Sequence, residues 1–109
     1  MPRISRRSAI AALALAPMVF AAQTALAATH EVSIQGFAFS PASLEVAVGD
    51  TVVFTNQDSA PHTATANNGA FDTGRLGRGD SAEVTITAAG SFDYFCNIHR
   101  RMQAVITAQ

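Results

Sequence analysis

Toward the C-terminal end of the chain stand Cys96-Asn97-Ile98-His99-Arg100-Arg101-Met102, which place a thiol, an imidazole and a thioether three residues apart. In a strand, positions 96, 99 and 102 would alternate faces, whereas a loop of this length can turn all three side chains toward one point. A fourth donor must come from elsewhere, and His62, just after Pro61, is the candidate. Two imidazoles, one thiolate and one thioether suit copper. Soft sulfur favours Cu(I), nitrogen holds Cu(II), and a weak axial Met completes a trigonal site. Structural zinc sites take four strong ligands, which a thioether is not. Iron–sulfur clusters need several thiolates.

The elements that must position these donors read as strands. From Glu31 onward, short alternating runs are broken by turn residues, and no stretch holds a helical period for three turns. Candidate strands are 31–35, 43–48, 51–56, 62–66, 82–87, 90–96 and 103–107. Gly49-Asp50, Asn67-Asn68-Gly69, residues 77–80 and Ala89-Gly90 supply the turns between them. In Leu44, Val46, Val48 and in Val84, Ile86 the apolar residues alternate, so one face packs and the other is wet. This predicts an all-β chain, a Greek-key β-sandwich of seven to eight strands, since an open sheet would leave an apolar face bare. Phe37, Phe39, Phe54, Phe71, Phe92 and Phe95 are expected to fill much of its core. Residues 74–79, Gly-Arg-Leu-Gly-Arg-Gly, superficially resemble a phosphate cradle but lack the following helix, and read as turn glycines.

Length and composition narrow the function. With 109 residues the chain can build one core, which excludes an enzyme with separate cofactor and substrate modules. It has no Lys and a formal net charge of −1, so it lacks the basic surface on which nucleic-acid binding rests. The single Cys cannot close an intramolecular disulfide.

The first 27 residues differ from the rest. Arg3, Arg6 and Arg7 precede an apolar run from Ala9 to Ala22, and Ala25-Leu26-Ala27 forms an A-x-A cleavage pattern. The run is interrupted by Pro17 and is shorter than the roughly 20 residues a membrane span needs. Residues 1–27 are therefore expected to be a cleaved export signal. Ser5-Arg6-Arg7-Ser8-Ala9-Ile10 also resembles a twin-arginine signal. Residues 28–109 would be the working domain, with four Arg against eight carboxylates, in the bacterial periplasm and with no membrane span after cleavage. In that oxidising compartment an unpaired thiol such as Cys96 is a liability unless a metal occupies it. Cleavage there would also leave Ala28-Thr29-His30 as a terminus able to wrap Cu(II) or Ni(II) in a square plane, against the alternative of a frayed end.

The working domain resembles the cupredoxins, in particular amicyanin- and plastocyanin-like type I (blue) copper proteins. The resemblance runs through residues 36–41 (Gly-Phe-Ala-Phe-Ser-Pro), 44–52, Pro61-His62-Thr63, Phe71-Asp72-Thr73-Gly74 and 94–102. It implies His62, Cys96 and His99 as strong equatorial copper ligands and Met102 as the weak axial one. The two-residue gaps on either side of His99 resemble amicyanin. Thr63 stands where plastocyanin-like proteins often carry an Asn that ties the two ligand loops together.

The function expected is a monomeric periplasmic carrier of single electrons, not an enzyme, because four side chains fill the site and leave no open coordination position. The alternative is a copper carrier or buffer that transfers no electrons. The resemblance implies that electrons pass at His99. A redox partner, a cytochrome c or a dehydrogenase, would then dock near His99, Arg100 and Arg101.

Overall fold

The computed structural model describes residues 26–109, so all but the last two residues of the expected export signal lie outside the described part. Among the described residues eight strands follow in order: β1 Thr29–Ile34, β2 Phe39–Ser40, β3 Ser43–Val46, β4 Thr51–Asn56, β5 Thr65–Ala66, β6 Ser81–Thr85, β7 Gly90–Phe95 and β8 Gln103–Ala108. They form two four-stranded sheets, β2-β1-β4-β6 and β3-β8-β7-β5. β1 and β4 run parallel, as do β3 and β8, while the remaining pairs are antiparallel. The chain is an all-β sandwich, as its alternation implies.

Period-two burial fills the space between the sheets. Val32 and Ile34 from β1, Val52, Phe54 and Asn56 from β4, Phe92 and Tyr94 from β7, and Ile106 and Ala108 from β8 are all buried. Each large apolar side chain so placed is worth about 1.5–3 kcal/mol relative to exposure. Phe39, Phe54 and Phe71 surround Tyr94 with ring centroids 4.7, 5.5 and 5.7 Å away. The inward register of β7 runs on through Phe92 and Tyr94 to Cys96, which is also buried. The core thus leads directly to the thiol.

Four sequence expectations need correction. Phe37 is not core but 51 % exposed. It is the second central residue of a two-residue hairpin between β1 and β2, closed by reciprocal backbone bonds between Gln35 and Ala38 of 3.0 and 3.2 Å. Gly36 at φ 66° and Phe37 at φ 58° are both left-handed, the requirement of a type I′ turn. The twist that suits the hairpin throws the Phe37 ring outward, and a non-glycine residue in this region is strained. β2 itself is an element that sequence periodicity does not single out.

The expected strand 62–66 keeps only Thr65–Ala66, with His62 joined to Leu76 by an isolated bridge. The strand beginning at Ser43 stops at Val46, because Ala47–Asp50 folds into a turn in which Asp50 N–H donates to the Ala47 carbonyl and Ala47 N–H to the Asp50 carboxylate. Nor is His30 part of a frayed end. It pairs with Val52 inside the sheet, and its Nε2 lies 2.9 Å from Asp50 Oδ2. Ala28 N–H donates to Asp50 Oδ1, and its carbonyl accepts from Thr51 N–H. A square-planar metal at residues 28–30 would have to pull these bonds apart.

Candidate metal centre

The sandwich brings the predicted donors together at one end. Cys96 follows the last residue of β7, Met102 precedes β8, and His99 lies in the loop between them. The loop is closed by Met102 N–H donating to the His99 carbonyl and Cys96 N–H donating to the Met102 carbonyl, both at 3.0 Å. Met102 is buried in consequence. The loop places Cys96 Sγ 3.9 Å from His99 Nδ1 and 3.7 Å from His62 Nδ1. All three donor atoms lie within 4.8 Å of one another.

His62 is held from several sides. Its backbone exchanges two bonds with Leu76, of 3.0 and 2.8 Å. The Gly-rich segment read as turn glycines therefore brackets the loop that carries His62. The His62 Nε2 lies 2.8 Å from Asp58 Oδ2. An ionised carboxylate only accepts, so Nε2 carries the proton and Nδ1 presents its lone pair to the Cys96 sulfur side. The Asp58 carboxyl is held below its ordinary range by the Phe37 amide, the Gly36 amide and the His62 ring.

Hydrogen bonds also surround the sulfur. Thr63 N–H and His99 N–H both donate to Cys96 Sγ at 3.4 Å, an arrangement suited to a thiolate. Thr63 ties the loop of His62 to that of Cys96, its Oγ1 accepting from Asn97 N–H at 2.8 Å.

Three residues essential to this geometry escape sequence reading. Asn56 is buried, and its Nδ2 donates to the carbonyls of Ala60 and Leu76 while its Oδ1 accepts from Asp58 N–H. Its signal was a polar residue in the inward register of an otherwise apolar strand. Asp58 carried no pattern of its own. Phe37, taken for core, lays its ring edge-on to those of His62 and His99 at 5.0 and 4.8 Å. Arg100 stacks over Phe95 at 5.3 Å, and both Arg100 and Arg101 are exposed beside His99.

A family model described as a cupredoxin-like domain matches residues 8–108. The chain belongs to the cupredoxin-like family. It is 25 % identical to chloroplastic plastocyanin of Pisum sativum over 120 residues, covering 91 % of this chain and 71 % of that protein. It superposes on the Cu(I) form of an amicyanin variant with TM-score 0.70 and 29 % identity, covering 82 % of this chain and 89 % of that one. A copper-containing nitrite reductase from Thermus scotoductus matches with TM-score 0.70 and 31 % identity over 74 % of this chain, which spans only 22 % of that larger protein.

This cupredoxin carries the chemistry the family requires. Two imidazole nitrogens and a sulfur already converge, with a buried thioether in the same loop, and the soft and borderline donors match copper in both oxidation states. The cofactor is one type I copper ion. Among the described residues no helix is long and apolar enough to cross a membrane.

Proposed function

We propose that this cupredoxin is an exported, periplasmic carrier of single electrons and not an enzyme. His62, Cys96, His99 and Met102 would hold one copper ion, the thioether being the weakest of the four donors. The observation that carries this reading is the preformed convergence of His62 Nδ1, Cys96 Sγ and His99 Nδ1 within 4.8 Å. Copper in such a site supplies a one-electron couple. The protein's part is to keep the donors still, so that little rearranges between oxidation states. The hydrogen bonds to Sγ, the Thr63 tie and the His62–Leu76 bridge serve that end. The remaining histidine, His30, is engaged at Asp50, far from the centre, which leaves no imidazole for a second copper of the kind an oxidase would use.

Unlike His62, His99 is only partly buried, so electrons are proposed to pass along its ring. Arg100 and Arg101 give this face positive charge on a domain that is otherwise acidic, fitting a redox protein with an acidic docking surface. Replacing both arginines by Glu is expected to slow transfer at low ionic strength and to flatten its salt dependence. Unchanged stopped-flow rates would remove the arginines from docking.

Export with cleavage after Ala27 is supported by Leu26, which is 90 % exposed, and by Ala28, which makes fold contacts through both its amide and its carbonyl. N-terminal sequencing of the protein from a periplasmic extract is expected to read Ala28-Thr29-His30. The deciding test of function is optical. One equivalent of Cu(II) should give an intense visible band that bleaches reversibly on reduction, and Cys96→Ser should abolish it. A colourless complex that surrenders copper to a modest chelator would indicate copper delivery instead.

A further inference from the structure

One carboxylate joins the backbone of the hairpin turn to the ring of His62. Asp58 Oδ1 accepts from Gly36 N–H at 2.8 Å, and Oδ2 accepts from Phe37 N–H at 2.9 Å and from His62 Nε2 at 2.8 Å. The two amides belong to the left-handed hairpin turn, where Phe37 holds a φ of 58° that a bulky residue does not adopt freely. The imidazole belongs to a metal ligand more than twenty residues further along the chain. Asp58 is itself fixed from behind, its N–H donating to the buried Asn56 side chain.

We infer that Asp58 is a positioning residue for the copper centre, clamping the His62 ring in its Nε2–H form and holding the strained turn that lays Phe37 across both histidine rings. This rests on the copper reading above and deepens it. Strain at a functional position persists only where the surroundings over-determine it, and two bonds from one carboxylate to consecutive amides do so here. The same negative charge, hydrogen-bonded to Nε2 on the far side of the ring from the Nδ1 donor, makes His62 a more basic ligand. The Phe37 ring is thereby kept edge-on to His62 and His99, with those two rings 5.0 Å apart.

Asp58→Ala and the isosteric Asp58→Asn test this in the purified protein, both metal-free and loaded with one equivalent of Cu(II). In metal-free Asp58→Ala, long-range proton–nitrogen NMR should show His62 losing its uniform Nε2–H form, and Gly36 and Phe37 amide exchange should quicken by about tenfold or more. On loading, Cu(II) affinity should fall by about 10- to 100-fold, the visible band should shift and the reduction potential should rise, because removal of a nearby anion favours Cu(I). Asp58→Asn keeps one acceptor oxygen, so it should retain the His62 proton form while its potential still rises. An unchanged His62 proton form together with unchanged amide exchange in Asp58→Ala would overturn the inference. The metal-free readings stand even if no blue centre forms, so the clamp and the copper assignment fail separately.

Discussion

Asn56 is wholly buried, yet both ends of its carboxamide are used: two carbonyls accept from it and one amide donates to it. These bonds anchor the segment that leads from β4 to His62, and they also fasten Leu76, the backbone partner of that histidine. Asn56→Ala would leave the Ala60 and Leu76 carbonyls with fewer donors and the Asp58 amide without its acceptor. The expected loss is about 2–4 kcal/mol, since buried unpaired groups cost more than the bonds they lose. Urea unfolding of the metal-free protein measures it. Cys96, His99 and Met102 were legible in the sequence because chain spacing alone puts them in one loop. Asn56 and Asp58 were not, because their partners are fixed by where loops from different strands meet.

At the scale of elements, the strands that could be read are those whose side chains alternate. β4 was bounded correctly because Val52 and Phe54 point inward while threonines and Val53 flank them. The hairpin at Gly36-Phe37 was misread for a different reason. Both Phe37 and Phe39 were read as core because large aromatic side chains usually fill it, but a type I′ turn directs Phe37 outward and only Phe39 faces the core. Likewise 62, 64 and 66 alternate and are all buried, yet the pairing of His62 with Leu76 replaces most of a strand. β7 carries a different tension. Its Tyr94 is packed among three phenylalanines, burial pushes its phenol far above the ordinary range, and its hydroxyl has no hydrogen-bond partner among the described residues. Tyr94→Phe keeps the rings and removes the unpaired group. It is expected to raise stability by about 1 kcal/mol, read as a higher thermal midpoint of the metal-free protein.

For the whole molecule, acid stability should depend on Asp50 at the pole away from His62 and Cys96. The Ala28 amide, then the His30 ring and the Ala47 amide, lower its carboxyl from 3.8 to about 2. The folded state therefore binds fewer protons than the unfolded chain, and stability rises with pH through this interval. The contribution of Asp50 is complete above its unfolded value and is lost as pH falls toward 2. Chemical denaturation of the metal-free protein between pH 5 and pH 2 should show this slope, and Asp50→Asn should make it shallower. The slope that remains belongs in part to Asp58, whose carboxyl is depressed in the same direction.

Asp50 immediately precedes β4 and Asp58 lies just beyond its end, so the length of a six-residue strand, roughly 20 Å, separates the two carboxylates. Ala28 contacts Asp50, and Gln109 pairs with Val46 and Val48 beside the turn that carries Asp50. Residues 28 and 109 consequently lie at one pole while the His62 and His99 rings face the other. A linker to a fusion partner, a bead or an electrode attached at either end would present the same face outward. Immobilised molecules should then all point their redox end away from the support, and a film made through residue 28 should perform like one made through residue 109.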